Sequence, residues 1–101
     1  MAKTPSPYPG ITVALTGSDQ AALTGGGTFF GGCFYESAGS NTATATIHDG
    51  TAASGTIIAY ISLAASGVTN LSIPNGVQVR NGIYVDVAGS GTIGGSVFYA
   101  S

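Results

Sequence analysis

From Gly10 onward the chain alternates short runs of β-branched and aromatic residues with clusters of Gly, Asn, Asp and Ser. Apolar residues recur mostly at every second position, the period of a strand with one face buried. The three-and-four spacing of a helix is hard to find, and the recurring Gly disfavours helix by about 1 kcal/mol per residue relative to Ala. The pattern predicts strands over residues 11–16, 28–36, 42–48, 56–63, 68–73, 77–79, 83–87 and 92–99. Some seven to eight short antiparallel strands divided by turn residues make one all-β domain, a sandwich or barrel, over residues 11–101. Residues 18–24 are the exception, expected to form at most a single helical turn.

Individual strands carry further information. In residues 42–48, Ala43, Ala45 and Ile47 share one face while Thr42, Thr44, Thr46 and His48 share the other, so one face is buried and one wet. Residues 56–63, by contrast, are apolar on both faces through Ile57, Ile58, Ala59, Tyr60, Ile61 and Leu63. Such a strand is either central to the core or has its second face covered by a partner. Asn81-Gly82 is a strong hairpin signal. A three-residue loop Arg80-Asn81-Gly82, with Gly82 left-handed, pairs Val79 with Ile83, Val77 with Val85 and Gln78 with Tyr84, and a two-residue turn would instead oppose apolar to polar partners. Pro74-Asn75-Gly76 reads as a turn and Asp49-Gly50 with the five residues after it as a longer connection. The stretch 25–35 is faintly echoed by 89–99; beyond low complexity, the echo implies two Gly-kinked strands in related positions.

Residues 1–10 form a separate segment. Pro5, Pro7 and Pro9 alternate with other residues and favour an extended, polyproline-like arm. It is either a frayed terminus or a tether onto a neighbouring subunit, with Tyr8 as anchor. The first ten residues lack the apolar stretch of a secretory leader, which sets the expectation of synthesis in a cytoplasm, and no apolar run reaches the ~20 residues of a membrane span.

Charge changes the picture more than hydrophobicity does. Only 6% of the 101 residues are charged, with one Lys, Lys3, and one Arg, Arg80. A surface so poor in charge lacks the usual defence of edge strands against pairing, and multimerisation is the natural inference. A net charge of -2 with so few cations argues against nucleic-acid binding.

The inventory for chemistry is small: one His, one Cys, one Glu and three Asp. A nucleophile pair of His48 with Cys33 lacks a third, orienting residue, and a solvated strand-end His is the preferred reading. Cys33 is expected as a buried small apolar residue. Structural zinc would need more N and S ligands, and Asp19, Glu36, Asp49 and Asp86 read as lone surface carboxylates and not as a calcium loop. The Gly-rich stretches lack the Lys of a phosphate loop. No catalytic residue, metal site or cofactor is therefore expected. Tyr35, Tyr60, Tyr84, Tyr99 and the four Phe are assigned to core and interface packing before sugar stacking.

The C-terminal half, through Asp49-Gly50-Thr51, Pro74-Asn75-Gly76-Val77, Gly82-Ile83-Tyr84-Val85 and Gly91-Thr92-Ile93-Gly94-Gly95, resembles small structural proteins of tailed bacteriophages. The resemblance implies a β-sandwich of jelly-roll or immunoglobulin-like type and a place in the virion. It implies in particular a decoration or cement protein that bridges major capsid protein subunits on the capsid surface after assembly in the host cytoplasm. The expected partners are the major capsid protein and further copies of the chain, as a trimer, with no nucleic acid or membrane. Interface residues on this reading are Pro5, Pro7, Tyr8, Pro9 and Tyr60. The alternative is a carbohydrate- or receptor-binding module of a tail fibre or spike.

Overall fold

Strand periodicity carries through to eight strands: β1 (Ile11–Ala14), β2 (Gln20–Leu23), β3 (Gly27–Glu36), β4 (Ala43–Asp49), β5 (Thr56–Leu63), β6 (Val68–Val79), β7 (Ile83–Gly89) and β8 (Ile93–Ala100). The structure is a computed structural model and describes residues 10–39 and 41–101. The arm expected over residues 1–10 lies outside it except for Gly10, so Pro5, Pro7, Tyr8 and Pro9 fall outside the described residues.

The pairing has one organising rule. β4 pairs with β5, β3 with β6, β2 with β7 and β1 with β8, all antiparallel. The chain is thus one long hairpin with its tip at residues 50–55, rolled up so that its ladders fall into two four-stranded sheets. Their orders are β1-β8-β3-β6 and β2-β7-β4-β5. This is the jelly-roll arrangement, and it selects that form of sandwich over the immunoglobulin-like one.

Between the sheets lie the inward residues of alternate positions. Phe29 and Phe34 of β3, Ala45 and Ile47 of β4, Ile83 and Val85 of β7, and Val97 of β8 are fully buried. The alternation read from residues 42–48 therefore holds: Ala43, Ala45 and Ile47 face the core. The echo between residues 25–35 and 89–99 also has a structural counterpart, because β3 and β8 are neighbours in one sheet. Each bends at a glycine of positive φ, Gly31 (108°) and Gly95 (117°), at sites where a Cβ would strike the backbone carbonyl of the adjacent strand.

Four local expectations are corrected. Residues 18–24 hold strand β2 and not a helical turn; pairing with β7 overrides the weak strand character of Gln20-Ala21-Ala22. The Arg80-Asn81-Gly82 hairpin does not form. Val79 pairs with Gly27 across one sheet and Ile83 with Leu23 across the other, so residues 80–82 are a corner between sheets. Gly82 does take positive φ, 143°, but for a different reason: a Cβ there would meet the carbonyls of Leu23 and Gly50. Pro74-Asn75-Gly76 does not end a strand; β6 continues through it as a bulge in which residues between Ser72 and Val77 oppose Phe30 alone. Pro is tolerated there because β6 is an edge strand.

The last correction concerns Asp19, Glu36 and Asp49, which bind backbone N–H groups and are not lone surface groups. Asp19 accepts the Val87 N–H at 2.8 Å, and Asp49 accepts those of Arg80 and Asn81 at 3.1 and 2.8 Å. The Asn81 N–H foremost, then that of Arg80, lowers the Asp49 pKa. Asp49 thereby ties the hairpin tip to the corner at residues 80–82. Glu36 does more. It is only 3% exposed, and its Oε1 accepts from Gly39 and Ser66 while Oε2 accepts from Ala38 and Thr92, at 2.7–3.1 Å. One carboxylate so fastens the β3–β4, β5–β6 and β7–β8 connections at one end of the sandwich. The Thr92 N–H foremost, with those of Ser66, Ala38 and Gly39, outweighs the opposing cost of burial and holds the carboxyl at about 2, below its ordinary 4.5.

Candidate functional site

The candidate site is the side of the sandwich where both sheets end, on β5 and β6. Among the described residues β5 pairs only with β4, and β6 only with β3, so each presents an unpaired ladder edge. The four-residue corner that joins them is held in place by Glu36, which takes the Ser66 N–H. Ser66 itself sits at φ 57°, a conformation that costs a non-glycine residue about 1 kcal/mol or more and persists where its surroundings fix it.

No Asp, Glu, Lys, Arg or His occurs from Gly50 to Val79. Both edges and their corner are therefore without the charged side chains that ordinarily keep strand edges from pairing with other chains. The doubly apolar strand of the sequence is β5, and it lies at an edge and not at the sheet centre. Ile61 and Leu63 point into the core, whereas Ile57 and Tyr60 are 60% and 64% exposed. Tyr60 was expected as an interface residue; its exposure makes it available to a partner. Ile57 was not singled out, because a run apolar at every position hides which residues face outward until register is known.

Register supplies the neighbours. On the outer face of this sheet one row runs Tyr60, Thr46, Asp86 and the next Ile57, His48, Tyr84. Tyr60 and Ile57 form the apolar margin of a face that becomes polar toward β7.

His48 departs from expectation. It occupies the outer face as the alternation required, yet it is 4% exposed and not solvated, because the hairpin tip folds over it. Its Nδ1 lies 2.8 Å from the Gly55 carbonyl oxygen, which can only accept, so Nδ1 carries the proton and donates. Nε2 is buried without a hydrogen-bond partner, and Asp86 Oδ2 at 3.7 Å is too distant for one. The Tyr84 ring stands at 6.4 Å, tilted by 56°. The Nδ1 hydrogen bond ties the ring to the hairpin tip.

Cys33 lies elsewhere. It pairs with Asn70 and Ser96 on the outer face of the other sheet, half-buried and not fully buried as expected. The imagined Cys33–His48 pair is thus split between opposite faces of the sandwich. Among the described residues no group of three or more His, Cys, Asp and Glu side chains is placed to hold a metal ion.

Comparison with protein-family models, with curated proteins and with solved structures returns no match to this chain.

Proposed function

We propose that this chain is a non-enzymatic structural component of a bacteriophage particle, a decoration or cement protein that binds the major capsid shell as a homo-oligomer, with β5 as its association surface. The observation that carries this reading is the uncharged open edge: an unpaired strand with Ile57 and Tyr60 exposed and no charge from Gly50 to Val79. An edge of this kind associates by adding a strand or by burying its apolar margin, and both modes join protein subunits. The likeness of the C-terminal half to tailed-phage structural proteins supports a phage particle as the setting, and Asp19, Glu36 and Asp49 are engaged in anchoring loops.

The test is sedimentation of the purified protein, alone and mixed with capsids stripped of accessory proteins. The expected result is a homo-oligomer that co-sediments with capsids in saturable amount. Tyr60→Lys should dissociate it while leaving the far-ultraviolet circular dichroism spectrum unchanged, since an exposed substitution leaves the monomer's fold intact. A monomer that leaves the capsids bare would overturn the proposal.

A further inference from the structure

Two of the four asparagines precede a glycine, in Asn75-Gly76 and Asn81-Gly82. The dipeptide has a chemistry beyond turn formation. The backbone nitrogen that follows an Asn can attack the side-chain amide carbon, and glycine, having no Cβ, leaves that nitrogen least shielded. The attack requires a peptide plane able to turn until the Gly nitrogen reaches the Asn Cγ.

The corner at residues 80–82 denies that turn. The Asn81 N–H donates to Asp49 Oδ1 at 2.8 Å with the Arg80 N–H beside it, and the Gly82 carbonyl accepts the Gly50 N–H at 3.2 Å. Gly82 is buried, and a Cβ there would meet the carbonyls of Leu23 and Gly50. The peptide between Asn81 and Gly82 is thus fixed on either side.

The bulge of β6 leaves its dipeptide open. Among the described residues, 73–76 have no partner in the ladder with β3, and on its other side β6 is an edge. Pro74 has no N–H to give to a ladder. Asn75 is exposed. Gly76 stands at φ 74°, and a Cβ there would fall on the Thr28 and Phe30 side chains. The bulge therefore demands at position 76 the residue that leaves the neighbouring amide open to attack.

We propose that Asn75 is a site of spontaneous self-modification, which converts its amide to a carboxylate while Asn81 is spared. The Gly76 nitrogen gives its proton to solvent hydroxide and bonds to Asn75 Cγ. The Cγ–Nδ2 bond breaks, and Nδ2 takes a proton from water and leaves as ammonia. The imide ring so formed adds water at either carbonyl and opens to an aspartyl or an isoaspartyl residue. The net change consumes water and releases ammonia, and needs no oxidant or reductant. Its effect is electrostatic: the stretch from Gly50 to Val79 holds no charge, and the reaction places a carboxylate within it, on the edge strand β6. Charge on an edge strand is what ordinarily keeps it from pairing with other chains, so the ageing protein acquires on β6 a protection that its sequence lacks.

The experiment incubates the full chain in mildly alkaline buffer, folded and, in parallel, unfolded in guanidinium chloride, and follows both by peptide mapping with mass spectrometry. In the folded protein Asn75 should convert about tenfold or more faster than Asn81, the ratio expected when reaction at Asn81 waits for the corner to open. In denaturant the two rates should converge, because both sites then share the same local chemistry. Isoelectric focusing of folded samples should show an acidic species that grows with time, is absent from Asn75→Gln and persists in Asn81→Gln. Equal rates at the two sites in the folded protein, or an Asn75 that stays an amide when folded yet converts in denaturant, would each overturn the proposal.

Discussion

Glu36→Gln is the substitution that tests most of the loop architecture at once. The carboxylate offers two oxygens to four backbone N–H groups, from Ala38, Gly39, Ser66 and Thr92. The amide keeps one oxygen and turns an NH₂ toward the other two donors, so two N–H groups of buried connections lose their acceptor and face a like donor. The loss is charge-dependent, and this gives the prediction its signature. The folded carboxyl titrates at about 2 and its ordinary value is 4.5, so the unfolded chain takes up the proton first as pH falls. The stabilisation is complete above about pH 4.5 and disappears as pH falls toward about 2. Within that window one proton changes the folded-to-unfolded ratio by at most about tenfold per pH unit. Urea titrations of wild type and variant at pH 7, 5, 3.5 and 2.5 should show a gap in midpoint that is constant at the first two values and narrows through the last two. A gap that stays the same from pH 7 to pH 2.5 would mean that the ionised carboxylate does not bind these amides.

Three further substitutions test the corner and the faces of the sheets. Gly82→Val places a Cβ against the Leu23 and Gly50 carbonyls at positive φ and should cost about 3 kcal/mol or more, read as a lowered urea midpoint; a change under 1 kcal/mol would contradict the corner. Phe34→Ala and Phe98→Ala remove the same side chain from opposite faces of one sheet. The first, fully buried, should cost about 3–5 kcal/mol and the second distinctly less by the same measurement, and equal losses would refute the assigned faces.

The strands were legible wherever one residue in two decides burial. Ala43, Ala45 and Ile47 declare the inner face of β4, and the run from Thr56 to Leu63 declares a strand whose bounds the structure reproduces. β2 was not legible, since Gln20-Ala21-Ala22-Leu23 is too short and too rich in Ala to show a period, and its strand is made by β7. The hairpin at residues 80–82 failed for a related reason. Asn-Gly specifies a reversal of the backbone, but which ladder receives each arm is set by the core, and here the arms of the reversal go to different sheets. Glu36 was read as a surface group because two of its donors, Ser66 and Thr92, are remote in sequence. His48 was placed on the correct face and misjudged in burial, because the Gly55 carbonyl that covers it comes from the hairpin tip. Tyr60 could be singled out as apolar in a doubly apolar strand, while its position at an edge, like the exposure of Ile57, emerges only when the sheets are ordered.

The rolled hairpin also dictates an order of assembly. Partners at the tip, such as Asp49 with Thr56, are close along the chain; Thr28 with Gln78, then Gln20 with Val85, then Ile11 with Tyr99 are successively farther apart. Loop-closure entropy rises along that series, so the cheapest path to the native state zips from the tip outward, each ladder shortening the loop that the next must close. A chain dominated by such non-local pairs folds on the millisecond-to-second scale and not in microseconds. β5 is in the first ladder of that path and β1 in the last. On that path the uncharged edge of β5 is formed and exposed while β1 and β8 are still apart.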